Sequence, residues 1–241
     1  MNYYISDLHI GHTNALAFDA RPFKTIEEND ETIKNNWNSV VGLDDDVYLL
    51  GDISWYGSTK TLEYYSQLNG RIHLIKGNHD NKILKNKDLQ NLFVEIVDYK
   101  ELYLNPKESI ILCHYPIPCF KNHYYGWYHL YGHVHTGFEN NMMQRTKYEM
   151  ENLYNTPCKM YNVGAMLLNY TPRTLEEITG GSYVFITRKK MKKKITDTYN
   201  KGFHIGKLYG VTKIYNEVKG GNTDVIDLCK RIMSEKEVFN T

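Results

Sequence analysis

The chain has 241 residues, 41% of them hydrophobic and 24% charged, so it can bury a sizeable core and is neither a disordered tract nor a fibrous repeat. That length predicts one main α/β fold with a modest appendage in place of two full domains. The formal charge of +1 conceals an asymmetry: residues 180–241 hold 13 Lys+Arg against 6 Asp+Glu, and the remainder holds 16 against 22.

A basic tail on an acidic body reads either as a surface for nucleic acid or another anion, or as solvated surface. No run of about 18 or more apolar residues occurs, which argues against a membrane span, and Met1 leads straight into Asn2-Tyr3-Tyr4-Ile5. The expected location is cytoplasmic. The four cysteines, Cys113, Cys119, Cys158 and Cys229, are widely spaced with no CxxC pair, so reduced thiols are expected and not a zinc knuckle or disulfide framework.

In chain order, Tyr3 to Ser6 is a short β-prone run that ends at Asp7-Leu8-His9. Open α/β sheets place their ligands at such strand ends. From Thr25 to Val40, the residues Ile26, Ile33, Trp37 and Val40 recur at roughly helical spacing, with acidic residues in the first turns, which predicts a covering helix. A second strand, Val47 to Leu50, stops at Gly51-Asp52. Thr59 to Leu68 reads as a helix stopped by Gly70, and Ile72 to Ile75 as a third strand ending at Gly77-Asn78-His79-Asp80. Ser109 to Cys113 delivers His114, and Leu130-Tyr131 delivers Gly132-His133-Val134-His135.

Helices alternating with strands in the first half predict parallel connections, and the closer spacing after residue 92 predicts antiparallel ones. The fold class expected is therefore α/β, a layered sandwich of mixed β-sheets flanked by helices. Aromatic residues crowd the segment from Tyr115 to Tyr131 and offer either loop packing or a rim that stacks on a planar leaving group. Beyond Gly180-Gly181 come a strand-like Tyr183 to Thr187, a basic run Arg188 to Lys194, and a short helix from Asp224 to Met233. The expected division is a catalytic domain over 1–179 and a basic extension over 180–241, packed on the core.

Five successive strand ends thus present carboxylate, amide or imidazole groups, and a single cluster explains all of them. Oxygen donors mixed with imidazoles suit manganese, iron or zinc, and no thiolate enters the set. Two ions about 3.5 to 4 Å apart can hold a nucleophile and stabilise an in-line phosphoryl displacement, given a bridging carboxylate. Asp7 and His9, two apart on extended chain, share a face, as do His133 and His135. Taken singly, each of these residues has an ordinary role in a turn, cap or core.

The motifs Asp7-Leu8-His9, Gly51-Asp52, Gly77-Asn78-His79-Asp80, His114 and Gly132-His133-Val134-His135, in this order, resemble the calcineurin-like metallophosphoesterases. The opening Ser-Asp-Leu-His-Ile-Gly-His, Arg21-Pro22-Phe23 and His114-Tyr115-Pro116 look like the small bacterial and phage branch. The resemblance covers roughly residues 1–178. It implies one divalent ion on Asp7, His9, Asp52 and His135, and another on Asp52, Asn78, His114 and His133, with Asp52 bridging. Manganese is the first expectation, with iron, zinc, nickel or magnesium as alternatives. It further implies that His79 acts on the leaving-group oxygen without binding metal, that Asp80 orients its ring, and that the nucleophile is a metal-bridging hydroxide. His12, Arg21 and His123 are candidate contacts to a substrate phosphate.

Phosphoprotein phosphatases carry Gly-Asp-x-Val-Asp-Arg-Gly and Gly-Asn-His-Glu, whereas this chain has Gly51-Asp52-Ile53-Ser54-Trp55 and Gly-Asn-His-Asp. The expected activity is hydrolysis of small nucleotide or cyclic-nucleotide phosphodiesters. A nuclease or RNA-end phosphatase that recruits nucleic acid through the tail is the alternative. A catalytically idle metal-binding scaffold is the reading from another class.

Overall fold

A computed structural model describes residues 1–105 and 108–180. Two four-stranded sheets form its centre. The first contains β1 (Asn2–Ile5), β2 (Asp46–Leu49), β3 (Arg71–Ile75) and β4 (Glu95–Val97), in that order and all parallel. The second contains β5 (Tyr99–Asn105), β6 (Glu108–Cys113), β7 (Tyr128–Tyr131) and β8 (Lys159–Asn162). Tyr4, Ile5, Val47, Leu49, Leu74 and Ile75 are buried, as expected of short parallel strands covered on both faces.

The second sheet corrects the expectation of antiparallel pairing after residue 92. Only β5 and β6 run antiparallel, while β6–β7 and β7–β8 are parallel. The reason lies in the connections. β5 and β6 are separated by only two residues in the chain, whereas the aromatic segment before β7 and the helix before β8 are long enough to carry the chain back to the starting end.

Helix α1 (Ala15–Phe18) is a single turn, and α2 (Ile26–Val40) is the predicted cover. At the start of α2 the Thr25 side chain accepts from the Glu28 amide, and Glu28 reaches back to the amide of Lys24. Ile26, Ile33 and Trp37 form its buried face, and the indole N–H of Trp37 donates to the Asn69 carbonyl at 2.9 Å. Truncating this fully buried indole to Ala costs about 3–5 kcal/mol. Helices α3 (Ser58–Tyr65) and α4 (Lys87–Leu92) flank the same sheet. Helix α5 (Phe138–Asn152) fully buries none of its residues, which accounts for its weak periodic signal. The last described helix, α6 (Leu175–Thr179), begins with a capping box of Thr174 and Glu177.

The two sheets meet at the ends of β1 and β8. The amide of Ser6 donates to the Val163 carbonyl at 2.9 Å, and the amide of Ala165 to the Ser6 carbonyl at 2.8 Å. These bonds bring the loop after β1 beside the loops that end the second sheet's strands. Among the described residues no helix is long and apolar enough to cross a membrane. The expected strand 183–187, the basic run 188–194 and the helix 224–233 lie outside the described residues.

Candidate metal centre

Each donor arrives on the loop leaving a strand. Asp7 and His9 follow β1, Asp52 follows β2, Asn78 and His79 follow β3, His114 follows β6, and His133 and His135 follow β7. Loops 7–10 and 52–55 lie side by side, with the amides of Asp7 and His9 donating to the carbonyls of Gly51 and Asp52 at 3.1 and 3.0 Å. Asp7, His9, Asp52, His133 and His135 all have positive φ, between 44° and 68°. Non-glycine residues adopt that region at a cost, and such strain collects where tertiary contacts force a side chain into a site.

Two trios of donors have ligand atoms within 4.8 Å of one another: Asp7, His9 and His135, and Asp7, Asp52 and His114. Asp7 is common to both trios, and Asp52 Oδ2 lies 3.9 Å from His9 Nε2 and 3.6 Å from His114 Nε2. Asn78 Oδ1 faces His114 Nε2 at 3.1 Å and His133 Nδ1 at 3.0 Å. Close approach requires glycine beside these groups. A Cβ on Gly132 would collide with the Asp7 carboxylate and the Ser6 hydroxyl, and one on Gly77 with Asp52.

The hydrogen bonds behind the donors determine which ring nitrogens are free. His114 Nδ1–H donates to the Leu50 carbonyl at 2.7 Å, leaving the Nε2 lone pair toward Asp52 and Asn78. His135 Nδ1–H donates to Asp19 at 2.7 Å, leaving its Nε2 lone pair 3.3 Å from His9 Nε2. Among the described residues, His9 Nδ1 is buried with no hydrogen-bond partner. Lone pairs converging on one another and on carboxylates form a set that divalent cations fit, and the N/O composition matches ions of the manganese, iron and zinc type.

Burial pushes the Asp7 carboxyl above its ordinary range, while the nearby rings of His114 and His135 act in the opposite direction. A bound cation would act as those rings do. His9 is held neutral by burial and then by His135 and Arg21. For His135 burial also favours the neutral ring, but the Asp19 hydrogen bond and the Asp7 charge outweigh it and raise its pKa.

Of the three expected phosphate contacts, two are placed elsewhere. Arg21 is a correction: its buried guanidinium donates to Asp19, to Asn29, and to the carbonyls of Asp7 and Leu8, so it fastens the first loop from behind. His123 is a second correction, because it is buried with Nδ1 on the Pro157 carbonyl and its ring on Phe120 and Tyr124. His12 does reach the rim of the centre, stacked on Trp55. Asp80 does not hold the His79 ring. Its carboxylate accepts from the amides of Asp52, Ile53 and Gly77 at 3.0, 2.9 and 2.7 Å and so locks two donor loops together.

Several residues at the centre had no distinguishing signal in the chain. Asp19 is recognisable only once its bonds to His135 and Arg21 are seen. Of the aromatic segment, Tyr115 lies at the centre, 4.7 Å from His133, whereas Phe120 and Tyr131 are core residues. Exposed Phe18, at the end of α1, and Trp55, in the loop after β2, complete the rim beside His135 and His79.

An α/β sandwich with buried carboxylates and imidazoles at its strand ends defines a protein built to hold divalent metal. The calcineurin-like phosphoesterase family model matches residues 3–163. The chain belongs to that family, whose chemistry is metal-dependent phosphoester hydrolysis. It is 33% identical over 178 residues to the uncharacterized protein MJ1445 of Methanocaldococcus jannaschii, covering 73% of this chain and 88% of that one. It is also 44% identical over 94 residues to the Gene 66 protein of Mycobacterium phage L5, covering 37% of this chain and 44% of the phage protein, which supports the small phage and bacterial branch. The crystal structure of AQ665 from Aquifex aeolicus, a protein of unknown function, superposes with a TM-score of 0.57 at 27% identity, covering 74% of this chain and 97% of that one.

Proposed function

We propose that this chain is a dinuclear phosphodiesterase acting on small nucleotide or cyclic-nucleotide substrates, with manganese the first metal to test. The observation that carries the proposal is the placement of Asp52 Oδ2, which faces His9 at 3.9 Å, His114 at 3.6 Å and half-exposed His79 at 3.9 Å. One ion would be held by Asp7, His9, Asp52 and His135, and the other by Asp52, Asn78, His114 and His133. When bound, such a pair supplies Lewis acidity that activates water and offsets phosphoryl charge.

The side chains account for the rest of the chemistry. His79 sits at the solvent edge of the cluster, where its ring can give a proton to a departing alkoxide, a contribution typically worth about 10² to 10⁴ in rate. The exposed rings of Phe18 and Tyr115 border the centre and favour a substrate with a planar group beyond the phosphate. An idle scaffold is disfavoured because every donor position carries a group able to bind. A nuclease or RNA-end phosphatase working through the basic tail depends on residues outside the described set, and removal of residues 180–241 addresses it.

The test is hydrolysis of bis-p-nitrophenyl phosphate and p-nitrophenyl phosphate by metal-stripped protein reloaded with Mn, Ni, Zn or Mg. Metal-dependent diester cleavage that is abolished by Asp52→Asn is expected, with His79→Ala lowering turnover measurably on these esters and more on diesters with more basic leaving groups. Metal binding without turnover of either ester would sink the enzyme reading in favour of the scaffold.

A further inference from the structure

No protein group hydrogen-bonds the imidazole of His79 among the described residues, and Asp80, the expected orienting group, is spent on backbone amides. Only the backbone of His79 is tied down by a hydrogen bond, its amide donating to Asp52 Oδ1 at 3.0 Å. A half-exposed ring with no bonded nitrogen has rotamer freedom, and a general acid must be held within hydrogen-bond reach of its target. Some other contact must limit that freedom.

His9 approaches the His79 ring edge-on at 6.3 Å and Asp52 Oδ2 lies 3.9 Å from its Nε2, but the nearest ring packed against it is that of Trp55. Its ring centroid lies 4.4 Å from that of His79 at 55°, and its other side is covered by His12, stacked parallel at 3.8 Å and 1°. His12 in turn packs edge-on against Phe18 at 5.4 Å. The backbone under the indole is anchored, because the Trp55 amide donates to the Ile10 carbonyl at 2.8 Å and Ile10 pairs with Ser54. The His12 amide donates to the His9 carbonyl at 3.0 Å. The stack therefore joins the Asp7–His9 loop, the Asp52 loop and the His79 loop through ring faces alone.

We infer that Trp55, backed by His12, is a positioning residue that sets the His79 imidazole against the leaving group. The inference rests on the role proposed for His79. It also separates Trp55 from a simple stacking platform for a nucleobase, since one indole face is taken by His12 and the other is turned to His79. Tyr115, across the centre beside His133, is left as the ring for that purpose.

The consequence is specific to leaving-group chemistry. Removing a proton donor hurts a substrate in proportion to the basicity of the departing oxygen, and a misplaced donor behaves as a partly removed one. The experiment uses the full chain loaded with Mn and a series of substituted-phenyl phosphodiesters of graded leaving-group pKa, with metal content measured for each variant. Trp55→Ala is expected to lower kcat by about tenfold or more on the most basic leaving groups and by less than about threefold on p-nitrophenolate, with KM little changed. Trp55→Phe should restore most of the loss. In a His79→Ala background Trp55→Ala should add almost nothing, because the two act as a unit.

A uniform loss across the series, a full additional loss in the His79→Ala background, or a rise in KM confined to nucleobase-bearing substrates would overturn the positioning role. If His79→Ala itself leaves rates unchanged while Asp52→Asn abolishes them, the assignment of His79 fails and the positioning role fails with it. If His79→Ala is impaired and Trp55→Ala is not, only the positioning role is lost.

Discussion

The carboxylate of Asp19 lies 2.7 Å from Nδ1 of His135 and also receives Nε and a terminal nitrogen of Arg21 at 3.1 and 3.0 Å. One buried carboxylate thus fixes a ring tautomer at the metal centre and pairs with the arginine that holds the loop beneath it. Carboxylate–imidazole pairs of this kind typically govern metal affinity by about 10- to 100-fold. Asp19→Asn is expected to weaken metal binding by that range, measured by chelator competition, with the fold retained. Unchanged affinity would mean that His135 does not bind metal.

Arg21 should behave as a structural residue. Its side chain is wholly buried, and Arg21→Met removes one of the two partners of the buried Asp19 carboxylate, a change that costs up to about 3–5 kcal/mol. Urea unfolding should show a midpoint lowered accordingly, while KM of the remaining folded enzyme stays within about twofold of the parent. A large rise in KM at unchanged stability would return Arg21 to the substrate.

Gly132→Ala tests the packing of the centre. The added methyl has no room beside Asp7 and Ser6, so Asp7 must turn away from the position where it receives the His133 amide at 3.0 Å. Metal affinity should fall by at least about tenfold with little change in the far-UV circular dichroism. Equal affinity would show that the loop can shift without moving the carboxylate.

His129 provides a pH signature away from the metal. It is buried between the carbonyls of Ile111 and Tyr115 and the amide of Ile117, and burial lowers its pKa to about 4 despite the carbonyl bonds. The unfolded ring titrates near 6.5, so between those values the unfolded chain binds a proton that the folded chain does not. Stability is therefore unaffected above about pH 6.5 and declines as pH falls toward about 4, by up to roughly 3 kcal/mol from this group. Denaturation midpoints of metal-free protein across that window should drop, and His129→Gln should flatten this part of the dependence. An identical slope in the variant would remove His129 as its source.

Much of the clustering of these polar groups was legible because strand ends are marked by composition. Short β-branched and aromatic runs stop at Asp7, Asp52, Asn78, His114 and His133, and such runs place their last residues at one edge of a sheet. The burial of Arg21 and His123 was not legible, since an arginine or histidine in a loop has the same local pattern whether it faces solvent or is ringed by acceptors. Strand direction in the second half was misjudged for a related reason. Spacing measures the length of a connection, and α5, which makes the crossover to β8, has too polar a surface to announce itself.

The amino-acid sequence by itself determined the kinds of donor, their order and the strand ends that carry them, because those depend on side-chain chemistry and on periodicity over a few residues. Tertiary structure alone decided which ring nitrogen of His114 and His135 is free, which carboxylate stands behind His135, and which aromatic rings border the centre. Those outcomes depend on contacts between Asp19 and His135, or Leu50 and His114, that lie 116 and 64 residues apart in the chain. No local pattern encodes a hydrogen bond whose partner is supplied by the packing of another loop.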